Sequence, residues 1–277
     1  MGLEEAKIAA HPLPDFDRPP VIETALSVEF APLARWTGAD FGLFFHEIMA
    51  DYPIAEVQAP IASAVERFGQ ERWVKPQIEI QVFTGEPLVR YWFKNEPEGK
   101  LLQLQRDRFI HNWQRVGNRP YPRYPQTREM FASAWSRFLA YLQARQLDSP
   151  VVSQCEVTYV NQIARGEGWD VPGDAAKVTP LLGTLPGQFL PSPEVLAVDA
   201  RYVIPPERGR LRVALQPALR TTDQKEILQL QLTARGSPKS SSTEDILGWF
   251  DLGHEWVVRG FVEVTSPSMH ARWGRVH

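Results

Sequence analysis

The strongest constraint on this chain is an order of sequence patterns that occurs twice. In each half, an alternating segment is followed by an insert, further alternating segments and one long amphipathic stretch. Alternation with a period of two is typical of half-buried strands, whereas apolar residues three and four positions apart predict a helix. Each such strand has one apolar face to bury. The sequence therefore predicts an α+β fold in which long amphipathic helices cover one face of an antiparallel sheet.

The first half supplies most of the elements that we expect. Its strongest pattern is a helical stripe from Phe131 to Leu142, with apolar residues at every third or fourth position. We predict strands at 26–30, 78–82 and 88–94 and from 102 to 113, and helices at 40–51, 54–68 and 131–142.

The second half repeats this order. A strand is predicted at 154–163, an irregular segment at 164–194, strands near 195–204, 210–219 and 226–235, and a helix with apolar residues from Ile246 to Phe261. The segment 227–231 (ILQLQ) also echoes 101–105 (LLQLQ). We therefore interpret 21–148 and 149–277 as two pseudo-repeated halves of one compact unit, after an extended, proline-rich arm at 1–20.

The face of the sheet opposite the helices is predicted to be polar and open. Because successive strand residues point to opposite faces, the polar members of the alternating segments share this face. Its predicted members are Glu79, Gln81, Gln103, Gln105, Gln229 and Gln231.

The composition restricts the cellular setting. The net charge of −3 gives no whole-molecule attraction to nucleic acid or to acidic membranes. The single cysteine, Cys155, cannot form an internal disulfide, which fits a reducing compartment. The N-terminal segment does not resemble a signal peptide, and no apolar run is long enough to span a membrane. We therefore expect a cytoplasmic protein that does not bind membranes.

Familiar catalytic motifs are missing from the sequence. There is no phosphate-binding glycine loop and no nucleophile elbow, and the dipeptide His254-Glu255 lacks the second histidine of a zinc-protease motif. The six histidines are not spaced as metal ligands. We expect no cofactor and no metal site, and we assign no catalytic residue.

One basic and aromatic segment, 106–128, stands out. It carries six arginines and one acid, Asp107, which makes its net charge +5, and it includes Phe109, His111, Trp113, Tyr121 and Tyr124. Arginine and aromatic side chains suit phosphate, nucleic acid or an acidic partner. The alternative is that these arginines pair with acids elsewhere in the protein, and both interpretations stay open. The candidate binding residues are Gln105, Arg106, Asp107, Arg108, His111, Asn112, Trp113, Arg115 and Tyr121.

Three further interpretations concern individual polar residues. In a continuous strand over 105–113, Asp107 and His111 would share one face, which would allow an acid–base pair. Tyr159 and Asn161 share a strand face, where we favour a buried hydrogen bond from Tyr159. His254 lies near the apolar stripe of the last helix, where we favour a core histidine over a functional one.

Several short motifs resemble a sporadically distributed family of uncharacterised bacterial proteins. They are Pro19-Pro20-Val21-Ile22-Glu23, then Leu104-Gln105-Arg106-Asp107-Arg108-Phe109 followed by Asn112-Trp113 and Tyr121-Pro122, then Tyr159 with Asn161, and His254 with Phe261. The resemblance covers nearly the whole chain. It implies no established activity, and its patchy distribution is similar to that of mobile defence or toxin–antitoxin components.

We therefore expect a non-enzymatic binding or regulatory protein that recognises a macromolecular partner, in the first place another protein. One alternative is RNA or DNA binding through 106–128. A second is an enzyme acting on a phosphorylated or nucleotide substrate, with Asp107 or His111 as acid or base. An open sheet has two free edges, which would also allow a homodimer.

Overall fold

The computed structural model describes residues 12–63, 66, 68, 89–183, 185, 187 and 189–276. Its strands are β1 (Val21–Phe30), β2 (Ile54–Gln58), β3 (Arg90–Asn95), β4 (Lys100–Gln105), β5 (Arg108–Gln114), β6 (Val152–Ala164), β7 (Val198–Ile204), β8 (Gly209–Leu219) and β9 (Glu226–Gly236). Its helices are α1 (Gly38–Ile48), α2 (Tyr124–Ala144), α3 (Ala175–Val178), α4 (Thr243–Val264) and α5 (Pro267–Trp273).

The nine strands form one antiparallel sheet in the order β2-β3-β4-β5-β1-β6-β9-β8-β7. The first strand of each half, β1 or β6, lies at the centre, and the two pair with Leu26 opposite Val157 and Val28 opposite Cys155. Each central strand also pairs with the last strand of its own half, β1 with β5 and β6 with β9. This confirms the predicted α+β class and the antiparallel sheet.

The long helices pack on the central strands through aromatic and aliphatic side chains. Phe131, Trp135 and Phe138 of α2 surround Phe109 of β5, with ring centroids 5.2 to 5.8 Å apart. Helix α4 contacts β6 and β9 and meets α2, where the rings of Phe131 and Phe250 lie 4.8 Å apart. The predicted apolar stripes lie within α2 and α4, and most of their residues are buried in the core.

The prediction of a helix at 54–68 is wrong. Residues Ile54–Gln58 form β2, which pairs with β3 so that Ile54 lies opposite Lys94 and Gln58 opposite Arg90. Pro60 lacks the amide hydrogen that a helix interior needs, and pairing with β3 satisfies the backbone of this segment.

The prediction of one strand from 102 to 113 is also wrong. The chain turns back at Arg106 and Asp107, so that β4 and β5 form a hairpin with Gln105 opposite Arg108. The carbonyls of the two turn residues accept hydrogen bonds from the backbone amides of Leu33 (3.1 Å) and Phe30 (2.9 Å). These contacts to the end of β1 fix a turn that has no glycine or proline.

The echoing pentapeptides lie in β4 and β9, which are not equivalent strands of the sheet. β9 lies beside β6, as β5 and not β4 lies beside β1. The predicted strand at 78–82, with Glu79 and Gln81, lies outside the described residues. No helix in the described part of the chain is both long and apolar enough to cross a membrane.

The described part of the arm, residues 12–20, pairs with the C-terminal segment after α5. The backbone amides of Asp17 and Arg18 donate to the carbonyls of Gly274 (2.9 Å) and Trp273 (3.0 Å). The ring of Phe16 is buried and lies edge-on against Phe261 of α4, with centroids 5.5 Å apart. The arm therefore lies beside α4.

Candidate functional site

Two arginines of the basic segment, Arg106 and Arg115, bind backbone carbonyls of the chain itself. Arg106 donates to the carbonyls of Leu33 (2.9 Å) and Ala34 (3.0 Å). Arg115 donates to the carbonyls of Val21 (3.0 and 2.7 Å) and Pro19 (3.1 Å), where the arm enters β1. These guanidinium groups thus hold loops and strand ends in place.

Arg108 lies in a buried polar cluster on the sheet. Its Nη2 donates to Oε2 of Glu29 at 2.6 Å and to the carbonyl of Ala62 at 3.3 Å. Gln105, in register with Arg108, exchanges hydrogen bonds of 2.8 and 3.1 Å with the backbone of Ile61. The hydroxyl of Ser63 donates to the same Glu29 carboxylate. The segment 61–63 therefore crosses this face of the sheet.

The predicted open face is consequently buried where β4 lies. Gln103 is 7% and Gln105 3% exposed. Nε2 of Gln103 donates to Oδ1 of Asn112 (2.8 Å), and Nδ2 of Asn112 donates to Glu23 (2.5 Å). Burial raises the pKa of Glu23 above its ordinary value. The polar residues here satisfy one another instead of facing water.

Asp107 and His111 are not brought together. Asp107 lies in the turn and accepts a hydrogen bond from Nε2 of Gln105 at 2.7 Å. His111 is buried within β5, where Nε2 lies 2.9 Å from the hydroxyl of Tyr52. The interpretation of these two residues as an acid–base pair is therefore wrong, because the turn removes Asp107 from the strand face that carries His111.

The remaining aromatic candidates lead to a cavity of about 300 Å³, here called the arm cavity. Trp113 packs against Tyr121, with ring centroids 5.2 Å apart, and Tyr121 lines the arm cavity. Its walls come from the arm, the segment leading into α2, the central strands and α4. They are Leu13, Pro14, Asp15, Phe16, Pro19, Val21, Tyr121, Arg123, Tyr124, Pro125, Tyr159, Asn161, Leu232, His254, Val257, Val258 and Phe261.

A row of hydrogen bonds runs along one wall of the arm cavity. The hydroxyl of Tyr121 donates to the hydroxyl of Tyr159 at 2.9 Å. The Tyr159 hydroxyl lies 3.1 Å from Nδ1 of His254. The ring of Tyr124 stacks on the imidazole, with centroids 3.8 Å apart and 6° between the planes. Stacking and the hydrogen bond together fix the orientation of His254.

Burial displaces the pKa values of this row away from neutral pH. It lowers the pKa of His254 from 6.5 to about 4, against a smaller opposing effect of Asp251. It raises the pKa of Tyr121 to about 12 and that of Tyr159 well above its ordinary value. All three side chains are therefore uncharged near pH 7.

The charged groups at the arm cavity are paired. Nη1 of Arg123 lies 2.5 Å from Oδ1 of Asp15, and Nη2 donates to the carbonyl of Phe16 at 3.0 Å. The uncharged Asn161 also has a partner, because its Nδ2 donates to the carbonyl of Leu230 at 3.1 Å. Arg123 thus ties the arm to the segment before α2 and closes one side of the cavity.

A second, wider depression of about 790 Å³ is lined by Tyr52, Trp113 and Arg119 among others. Its rim carries the ion pairs Asp51–Arg137 and Glu98–Lys100. In the described part of the chain, no three potential metal ligands are grouped to hold an ion. The buried thiol of Cys155 has a pKa raised by burial, so it is not poised as a nucleophile.

Sequence reasoning assigned Tyr159 and His254 to the core and did not join them into a site. Both take the buried hydrogen bonds expected of them, but with each other and beside a cavity. Of the nine candidate residues, only Tyr121 lines the arm cavity. The available signal was that Tyr121, Tyr159, Asn161, His254 and Phe261 all belong to the motifs of the family resemblance.

Comparisons with models of protein families, with curated proteins and with solved structures found no match to this chain. The resemblance to a bacterial family therefore stays a prediction, and the arm cavity is interpreted from its own geometry and chemistry.

Proposed function

We propose that this protein is a non-enzymatic binding protein that recognises a macromolecular partner, and that the partner inserts an apolar group into the arm cavity. The observation that carries this proposal is the row Tyr121–Tyr159–His254, which three distant segments bring together along an apolar wall. In many protein interfaces, a few anchor residues that are buried in such pockets supply most of the binding energy.

The protonation states of the row favour binding over acid–base catalysis. A general acid or base works best when its pKa lies near the working pH. His254 has a pKa of about 4 and Tyr121 one of about 12, so neither exchanges protons readily near pH 7. Uncharged groups held in fixed orientations are instead suited to selecting a ligand by hydrogen bonding.

The two alternatives receive less support from the geometry. Arg106, Arg108 and Arg115 bind the chain's own carbonyls or Glu29, which does not favour a nucleic-acid surface at 106–128. The separation of Asp107 from His111 removes the acid–base pair on which the enzyme alternative depended.

We also propose that the two halves arose by duplication and that α2 and α4 cover the same face of the sheet. The order β1-β5-β4-β3 on one side and β6-β9-β8-β7 on the other supports this proposal. So does the contact between α2 and α4, each of which follows the last strand of its half.

The test compares three proteins purified gently at low salt from their own host: the wild type, Val258→Trp and Val203→Trp. Val258 lines the arm cavity and is partly exposed, so a larger side chain there fills the cavity from its edge. Val203 is 49% exposed on the edge strand β7 and is the matched control. Native mass spectrometry and the ratio of absorbance at about 260 and 280 nm are the measurements.

We expect a discrete extra protein mass on the wild type and on Val203→Trp, and its loss from folded Val258→Trp. The same extra mass on all three proteins, or on none, would contradict the proposal. A raised absorbance ratio that disappears after a salt wash would support the nucleic-acid alternative, since phosphate contacts weaken steeply with salt.

A further inference from the structure

The arm cavity has a chemical preference that follows from its walls and its hydrogen bonds. Its lining is mainly apolar, with Val257, Val258 and Phe261 from α4 facing Leu13 and Phe16 from the arm. A volume of about 300 Å³ lies at the small end of the range for ligand pockets. The space suits one large side chain with its flanking amides.

The cavity offers no uncompensated charge to a ligand. Its one guanidinium, Arg123, is bound to Asp15, and His254 is neutral near pH 7 because burial lowers its pKa to about 4. A charged group that enters an apolar site without a partner loses its hydration and gains no compensating ion pair. Carboxylate and ammonium groups are therefore disfavoured.

The direction of the hydrogen bonds determines what His254 presents. Tyr121 donates its hydroxyl hydrogen to Tyr159, and we assign the hydroxyl hydrogen of Tyr159 to the bond with Nδ1 of His254, 3.1 Å away. A neutral imidazole with Nδ1 as acceptor carries its hydrogen on Nε2. Nε2 has no partner among the described residues, so the row ends in one available donor beside the cavity.

We propose that the arm cavity binds an internal apolar residue of a partner polypeptide, with an aromatic or aliphatic side chain in the cavity and a neighbouring backbone carbonyl that accepts from Nε2 of His254. This inference rests on the proposed recognition of a macromolecular partner. It adds that the bound residue is uncharged and lies within the partner chain, because a free terminus would bring an unpaired charge.

The probes are three compounds with the same side chain. N-acetylphenylalaninamide is uncharged, N-acetylphenylalanine is an anion, and phenylalaninamide is a cation at a pH of about 6, well below the pKa of its amino group. Ethylbenzene, which has no carbonyl, is the fourth. Binding is followed through the methyl NMR signals of Val257 and Val258, which line the cavity, at a pH of about 6, where His254 is still neutral.

We expect N-acetylphenylalaninamide to shift these signals and to bind at least about tenfold more tightly than either charged compound, because the charged groups lose hydration. His254→Phe should weaken its binding about two- to tenfold, the value of one neutral hydrogen bond, and leave ethylbenzene unchanged. His111→Phe, which removes the other buried histidine hydrogen-bonded to a tyrosine, is the control and should change neither.

Equal or tighter binding of N-acetylphenylalanine would overturn the inference. So would unchanged binding of the uncharged amide to Val258→Trp or, if that variant does not fold, to Val258→Phe. These results are separate from partner capture. If the wild-type cavity binds the amide but Val258→Trp still carries the partner protein, the proposed function is refuted. The preference of the cavity for uncharged ligands then still stands.

Discussion

Nη2 of Arg108 lies 2.6 Å from Oε2 of Glu29, and each side chain is only 7% exposed. The pair lies beneath residues 61–63, whose backbone and Ser63 hydroxyl add hydrogen bonds to it. The charge pattern predicted that Arg108 binds a partner. In the structure, Arg108 is instead part of a buried cluster that joins β1, β5 and the segment after β2.

We predict that Arg108→Met lowers the free energy of unfolding by about 3–5 kcal/mol, because it leaves the Glu29 carboxylate buried without its partner. Urea denaturation followed by circular dichroism measures the change. Arg119→Met is the matched control, since Arg119 is exposed, and it should change stability by no more than about 0.5 kcal/mol. Equal effects of the two substitutions would show that the ion pair has no structural role.

We predict that the protein loses stability as the pH falls from 6.5 toward 4. Burial lowers the pKa of both His254 and His111 from 6.5 to about 4, so the unfolded chain binds protons more readily over this range. Their contribution is fully present above pH 6.5 and is lost as the pH falls toward the folded-state values. Each histidine adds a slope of up to about 1.4 kcal/mol per pH unit.

Urea denaturation at several pH values measures this slope. The variants His254→Phe and His111→Phe should each make the dependence shallower between pH 6.5 and 4. An imidazole NMR signal of His254 that titrates near pH 6.5 in the folded protein would contradict the prediction, because it would mean that burial does not exclude the charged form.

We predict that Phe16→Ala lowers the free energy of unfolding by about 3–5 kcal/mol, as for other large-to-small changes of a buried aromatic residue. The ring of Phe16 contacts Phe261 and Trp273 and forms part of the arm cavity. Thermal denaturation measures the loss, and hydrogen exchange should show faster exchange at the amides of Asp17 and Arg18. Leu13→Ala, at a half-buried position of the same arm, should cost less.

We predict shallow salt dependence for any binding of single-stranded nucleic acid to segment 106–128. Arg119 is its one arginine whose guanidinium has neither a hydrogen-bond nor an ion-pair partner among the described residues. Each phosphate contact on single strands adds a slope of about −0.7 to log K against log salt. Fluorescence anisotropy with a labelled oligonucleotide from 50 to 300 mM salt, about the range in which such contacts weaken, gives the slope. A slope steeper than about −3 would return the nucleic-acid alternative to first place.

Local patterns in the sequence were sufficient for the elements that bury a regular apolar stripe. The stripe from Phe131 to Leu142 lies within α2, and the alternation at 26–30 lies within β1. These elements follow from periodicity because one side of each must leave water, whichever neighbour covers it.

Segments whose structure depends on distant neighbours could not be predicted in this way. Residues Ile54–Gln58 became a strand because β3 pairs with them. Arg106 and Asp107 became a turn because their carbonyls accept hydrogen bonds from the backbone amides of Leu33 and Phe30. Short apolar segments carry too little periodicity to exclude either structure, so tertiary hydrogen bonds decide between them.

The sequence by itself determined the α+β class and which residues could bind or carry charge. Only the tertiary structure decided how these residues are used. It pairs Arg108 with Glu29 across two strands, and it brings Tyr121, Tyr159 and His254 from three separate segments to one cavity. The physical reason is that hydrogen bonds and ion pairs act over a few ångströms in space, whereas these partners lie 38 to 95 positions apart in the chain.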